Sequence, residues 1–335
     1  MNDRGSVELE PKFVPPGYRV QEHLGSGQTS HVYLVTHERL GKVALKLPRP
    51  ELYYRPVLRR MFENEVQITL SLTNTDNGEP DQHVVRALEG FPTGPEAFLT
   101  IEHCPGGTLD EMLGAKQLDF TIASHLILDT AKGLEFSHSR KVLHRDVKPA
   151  NVFLTETKRA KLGDYGTGLF MTERTEERVG TAFYMAPEIF EGKPPTIQSD
   201  VYSLGILAYE VLTGKRPFVG DSYDELMLQH LAGVPQTIQH LRPDATLELS
   251  NVVSQAMSRD QSKRFPSVRA FINAYTEVTG IRPMSEVGQP KIGRATRTRT
   301  EFTQSPMKPG VDKASEKSEK SKENAGLFGW LKRKK

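Results

Sequence analysis

Cysteine is almost missing from this 335-residue sequence: Cys104 stands alone, so no disulfide can form within the chain. With neither a C-x-x-C nor an H-E-x-x-H spacing, the usual structural zinc arrangements are absent too. Long apolar runs are also lacking. No stretch approaches the roughly 18 residues a membrane-crossing helix needs, and the opening residues M-N-D-R-G-S-V-E-L-E-P lack the apolar run of a secretion signal. A reducing, cytoplasmic setting is expected. No internal repeat of about 20 to 50 residues is visible, which argues against a solenoid or propeller. A dominant charge sign is missing as well, with 44 Lys and Arg against 42 Asp and Glu. That balance conceals an asymmetry, because residues 281–335 hold 14 Lys and Arg against 6 Asp and Glu, leaving a net −6 on the rest. The basic excess belongs to the end of the chain, and no nucleic-acid partner is predicted.

What is present is enough to fold: 37% hydrophobic and 26% charged residues over this length can bury one large core or two adjoining ones. Residues 1–12 are polar, and Pro15-Pro16-Gly17 punctuates the entry to the first strand. Tyr18–Leu24, His31–Thr36 and Lys42–Leu47 are β-rich segments separated by glycine-containing turns, which predicts an antiparallel sheet. From Pro56 to Leu72, Leu58, Met61, Phe62, Val66, Ile68, Leu70 and Leu72 recur at helical spacing. A loop rich in Asn, Asp, Gly and Pro follows at Thr73–Gln82, after which Val84–Phe91 and Ala97–Glu102 resume strand patterning. Beyond Pro105-Gly106-Gly107 the pattern changes to long amphipathic runs at Phe120–Ser139, Asp200–Thr213, Ser222–Ala232 and Leu247–Met257. The expectation is an α+β chain in two lobes: a small one of antiparallel strands with one helix, and a larger, mainly helical one.

The octet H-R-D-V-K-P-A-N at His144–Asn151, followed by Asp164 in L-G-D-Y-G, carries the chemistry. It supplies an acid, a cation and a carboxamide on one loop and a second carboxylate on the next. Those are the parts needed to hold metal-bound phosphates beside a hydroxyl nucleophile. In L-G-S-G-Q-T-S-H-V, Gly25 and Gly27 leave backbone N–H groups free to close over phosphates. An ordinary hairpin turn has the same composition. Lys46 ends the apolar run Val43-Ala44-Leu45, where an ammonium needs an anionic partner. Glu65, 19 positions on, is one candidate for that partner, and Glu63 is the alternative.

On these motifs, in this order over about Tyr18 to Tyr275, the chain resembles a eukaryotic-type (Hanks-type) Ser/Thr protein kinase of the bacterial branch. The resemblance implies a kinase domain over residues 13–280, its lobes meeting near 103 and 104, followed by a basic extension over 281–335. It implies ATP and Mg²⁺ as cofactors and proteins bearing Ser or Thr as substrates. Residue by residue, Gly25, Ser26 and Gly27 match the phosphate-covering loop, with Val32 and Ala44 beside the nucleotide. Lys46 and Glu65 match the family's ion pair, and Ile101 the back of the adenine pocket. Glu102, His103 and Cys104 match the hinge whose backbone binds adenine. Asp146 matches the catalytic-loop acid, Lys148 the lysine that contacts the transferred phosphate, and Asn151 and Asp164 the metal ligands. Glu188 of A-P-E and Arg264 of D-Q-S-K-R-F are expected to pair, and Asp200 to cap the catalytic-loop backbone. Thr172 and Thr175, with Thr181, are candidates for phosphorylation in the activation segment, whose phosphate would pair with a buried Arg145.

Three departures from the family pattern stand out. Tyr165 replaces phenylalanine in D-F-G and brings a hydroxyl that needs a partner; Thr69 falls where leucine is usual; the Thr73–Gln82 loop is long. At the far end, Leu327, Phe328, Trp330 and Leu331 directly precede four cations, a composition suited to an anionic membrane surface or to docking a protein.

Overall fold

The computed structural model describes residues 11–73, 81–114, 117–170 and 182–282. Most of the Thr73–Gln82 loop, the three candidate threonines and the segment beyond Arg282 lie outside the described residues. In chain order the small lobe contains β1 (Tyr18–Ser26), β2 (Ser30–His37), β3 (Gly41–Pro48), α1 (Pro56–Thr73), β4 (Ala87–Phe91) and β5 (Phe98–Glu102). The sheet is antiparallel with the order β1-β2-β3-β5-β4.

β3 is apolar at nearly every position because both of its faces are covered. Val43, Leu45 and Leu47 pack with Tyr18, Tyr33 and Val35 on one side. Ala44 faces the other way, into a cluster with Phe62 and Val66 of α1 and Leu99 and Ile101 of β5. Side chains alternate along a strand, so Lys46 shares the α1 side with Ala44. Its burial is set by strand register.

The large lobe continues with α2 (Leu109–Leu113), α3 (Phe120–Ser139), β6 (Val142–Leu143), β7 (Val152–Leu154), β8 (Ala160–Leu162) and β9 (Leu169–Phe170). α4 (Pro187–Phe190), α5 (Ile197–Thr213), α6 (Tyr223–Ala232), α7 (Ile238–Leu241), α8 (Leu247–Ala256) and α9 (Val268–Thr279) complete it. α5 is buried along almost its whole length and forms the axis of the large-lobe core. Its ends are well defined: Thr196 and Ser199 form a reciprocal N-terminal cap, and Gly214 ends the helix at φ 69°. Asp119 caps α3 by accepting from Thr121 N and Ile122 N.

One strand boundary differs from the sequence reading. Val84 and Val85, assigned there to the strand that becomes β4, do not join the small-lobe sheet but bind β8 of the large lobe. Val85 N–H donates to Leu162 O at 2.8 Å and Leu162 N–H to His83 O at 2.7 Å. Apolar alternation marks burial and cannot say which lobe supplies the cover. Gly133 of α3 permits this approach, since a Cβ there would lie 2.3 Å from His83 O.

Candidate active site

The short β6–β9 and β7–β8 ladders hold the two loops that carry the acidic residues. Asp200, at the start of α5, accepts from His144 N at 2.9 Å and Arg145 N at 2.8 Å, and His138 Nε2 lies 2.7 Å from it. Burial alone would raise the Asp200 carboxyl, but the His138 contact and these backbone donors outweigh it and hold it low. The capping expected of Asp200 is therefore present. It fixes a loop whose Arg145 adopts φ 68°, a left-handed conformation that needs outside support. Arg145 itself is half-buried rather than fully buried as expected.

Asp146, Lys148 and Asn151 form one hydrogen-bonded group. Lys148 Nζ donates to Asp146 Oδ2 at 2.6 Å, while Asn151 Nδ2 donates to the Asp146 carbonyl at 2.8 Å and to Oδ2 at 3.1 Å. Spending its amide nitrogen this way leaves the Asn151 carbonyl oxygen as an available ligand. His144 is fully buried, and burial pushes its pKa below the ordinary value. Nε2 reaches Gly163 O at 3.1 Å and Nδ1 receives Asp146 N–H at 3.3 Å, which assigns the neutral tautomer with hydrogen on Nε2. The histidine thus splints two loops, as a packed structural residue would.

Asp164 also adopts a left-handed backbone, φ 61°, and its side chain opens to the cleft while Tyr165 is fully buried. Desolvation raises its carboxyl, yet the charge of Lys46 and the N–H of Gly166 outweigh that and hold it below the usual range. Lys46 pairs with Glu65; the half-buried Glu63 instead pairs with the exposed Arg59 at 3.5 Å. Desolvation disfavours the Lys46 ammonium, but Glu65 and Asp164 together keep its pKa above normal. Burial and the nearby Asp164 push Glu65 upward against the pull of Lys46, and Glu65 Oε2 has no hydrogen-bond partner among the described residues.

The remaining sequence candidates lie on β1, β2, β3 and β5 and in the connections beside them. Ser26, at the tip of β1–β2, contacts His31 Nδ1 at 2.6 Å, and Arg49 Nη1 braces the turn by donating to Gly27 O at 3.2 Å. Val32, Ala44, Ile101 and Cys104 belong to one apolar cluster with Phe153 of β7. Burial pushes the Cys104 thiol up to about 12, so it is an uncharged apolar contact. Glu102 does more than lend its backbone: its carboxylate takes Lys161 Nζ at 2.8 and 3.0 Å and Arg86 N–H at 2.7 Å.

Phe153 and Lys161 were not foreseen. Lys161 had a usable signal, since a lysine inside the apolar strand A-K-L poses the desolvation problem that drew attention to Lys46. Phe153 had none, because V-F-L is an ordinary buried strand. The expected pair is present, with Arg264 donating to Glu188 at 2.8 and 2.7 Å. The hydroxyl of Tyr165 meets Ser137 Oγ at 2.7 Å, and its ring stands 4.6 Å from that of His144.

Asp164 and Asn151 offer a carboxylate held ionised and a carboxamide oxygen, hard donors that fit Mg²⁺ and not a soft metal. Among the described residues no group of three or more His, Cys, Asp and Glu side chains forms a metal cluster.

Residues 18–275 match the sequence profile of the protein kinase domain family. The serine/threonine-protein kinase PknB of Mycolicibacterium smegmatis is 33% identical over 273 residues, 76% of this chain and 42% of that protein. A probable serine/threonine-protein kinase of Streptomyces coelicolor is 33% identical over 274 residues, 77% of this chain and 39% of the relative. The serine/threonine-protein kinase PknA of Mycobacterium tuberculosis is 30% identical over 285 residues, with 83% and 65% covered. The chain spans well under half the length of the first two relatives.

Proposed function

The chain belongs to the protein kinase domain family, and from that membership we propose that it is an ATP-dependent protein serine/threonine kinase. The observation that carries the reading is the shared hydrogen bonding of Asp146, Lys148 and Asn151 next to an ionised, cleft-facing Asp164. Mg²⁺ bound with the nucleotide would offset charge on the phosphate oxygens, and Asn151 and Asp164 are the residues to hold it.

Asp146 orients the substrate hydroxyl and accepts its proton as the oxygen–phosphorus bond forms and the bond to the ADP leaving group breaks. Lys148, already 2.6 Å from Asp146 Oδ2, is placed to neutralise the phosphoryl group in transit. Lys46, kept charged by Glu65, anchors the nucleotide phosphates, and the tip around Gly25, Ser26 and Gly27 covers them. Val32, Ala44, Ile101, Cys104 and Phe153 receive the adenine ring, with hinge hydrogen bonds from the backbone at Glu102 and Cys104.

A protein substrate is favoured over a small molecule because the A-P-E segment is retained and locked to the large lobe through Glu188 and Arg264. Transfer of phosphate from ATP to a generic protein substrate, beside an Asp146→Asn control, tests the reading. Equal phosphorylation by both proteins would refute it.

Residues 13–280 are proposed as the catalytic domain. Autophosphorylation at Thr172, Thr175 or Thr181 is proposed to order the activation segment; an active enzyme with all three unmodified by mass spectrometry would rule it out. The apolar residues around Trp330, followed by four cations, are proposed to touch an anionic membrane or a protein partner. Fluorescence of this sole tryptophan, titrated with anionic vesicles, decides whether the membrane is involved.

A further inference from the structure

We propose that Ser137 is a positioning residue for Asp164, acting through a buried hydroxyl chain that ends on Tyr165; the idea rests on Asp164 being a ligand of the nucleotide-bound metal. Ser137 lies in the last turns of α3 and Tyr165 on the loop after β8, and both are fully buried. Ser137 Oγ donates to Gly133 O at 2.9 Å and lies 2.7 Å from the Tyr165 hydroxyl. Serine has one hydroxyl hydrogen. With that hydrogen on Gly133 O, the Tyr165 O–H is the donor to Ser137, giving a relay from tyrosine to serine to helix carbonyl.

The relay governs Asp164 because the two residues are adjacent and point oppositely. Asp164 opens to the cleft, and Tyr165 is packed among Ile68 and Leu72 of α1, Val84, Val142 and Phe136. A rotation that withdraws the carboxylate must draw the ring out of this pocket. Ile68 and Leu72 resist through dispersion, which has no preferred direction. The hydroxyl bond does have one, and it ties the ring to α3, an element of the large lobe. Gly168 N–H donates to Tyr165 O at 2.8 Å and holds the backbone, but leaves the side chain free to turn. Asp164 keeps φ 61°, and the Ser137 anchor supplies support for it from outside the loop.

The relay is asymmetric, which makes the proposal testable. Tyr165→Phe removes a donor and leaves Ser137 satisfied by Gly133. Ser137→Ala strands a buried tyrosine hydroxyl, the more costly loss. Adding Tyr165→Phe to Ser137→Ala removes the stranded group. Urea midpoints are therefore expected to fall slightly for Tyr165→Phe, most for Ser137→Ala, and to recover in the double variant.

A purely structural role ends there. A positioning role predicts a second readout that does not recover: the gain in ADP affinity on adding Mg²⁺, measured by calorimetry. Each of the three variants should lose about fivefold of that gain, the factor equivalent to a net hydrogen bond of roughly 1 kcal/mol. ADP affinity without Mg²⁺ should hold.

If the wild-type protein shows no Mg²⁺-dependent gain, the reading of Asp164 as a metal ligand fails. If the wild type shows the gain and all three variants keep it, the positioning role of Ser137 fails and the relay is only a stabilising contact. Recovery of both readouts in the double variant would overturn the proposal equally.

Discussion

Arg264 grips Glu188 with two nitrogens, each on its own carboxylate oxygen, at 2.8 and 2.7 Å. Both side chains are buried, and Ser199 donates a further hydrogen bond to Glu188 Oε1 at 2.7 Å. The guanidinium also stands over the ring of Tyr202 at 4.8 Å and donates to Ser258 O. Removing one partner leaves a buried charge without compensation. Arg264→Ala is therefore expected to lower stability by about 3–5 kcal/mol, read from urea denaturation. A loss under about 1 kcal/mol would show the pair to be solvated in practice.

Gly133 and His83 give a sterically defined prediction about how the lobes join. A Cβ at Gly133 would sit 2.3 Å from His83 O, a backbone atom that cannot swing away, and 3.0 Å from the Leu162 side chain. Gly133→Ala should push the α1–β4 connection off β8, at a cost of about 1–3 kcal/mol. Raised hydrogen exchange at the amides of Val85 and Leu162, which make this junction, is the specific readout. Unchanged protection there would refute the close approach.

The sequence made the lobes and the site largely legible because the signals were local. β-rich composition between glycine-containing turns located β1 to β3, period-3.6 spacing located α1 and α3, and a charge in apolar surroundings marked Lys46. What stayed hidden depends on partners distant in the chain. Val84 and Val85 look like strand residues, and only the fold reveals that β8 receives them. Tyr165 announced a hydroxyl in need of a partner, yet nothing near Ser137 distinguishes it from the other serines of α3. Glu102 was singled out for its backbone. Its carboxylate proved to be spent on Lys161, 59 residues away.

Asp146 is expected to separate chemistry from binding. Asp146→Asn keeps the shape and the contact with Asn151 but removes the proton acceptor and the charge facing Lys148. The turnover number should fall by about 10² to 10⁴, while ADP affinity stays essentially unchanged. Parallel loss of ADP binding would mean that the residue organises the cleft and is not the base.

His230 provides a prediction about acid stability that is independent of catalysis. The imidazole is fully buried within 4.8 Å of the Phe218 ring and 5.4 Å of Phe190, and Nδ1 meets the Tyr202 hydroxyl at 2.7 Å. Desolvation pushes its pKa down to about 4 against a smaller opposing effect from the Phe183 backbone. The unfolded chain takes up this proton near pH 6.5 and the folded chain only near 4. Stability from His230 is therefore fully present above pH 6.5 and is lost as pH falls toward 4. The loss amounts to about 2 kcal/mol by pH 5 and about 3 kcal/mol in full. His230→Gln keeps a polar side chain facing Tyr202 but cannot titrate, so its unfolding free energy should decline less steeply between pH 6.5 and 4. His83 and His144 also have lowered pKa values and remain in both proteins, so the difference between the two slopes isolates His230. Identical slopes would mean that the imidazole accepts its proton without unfolding.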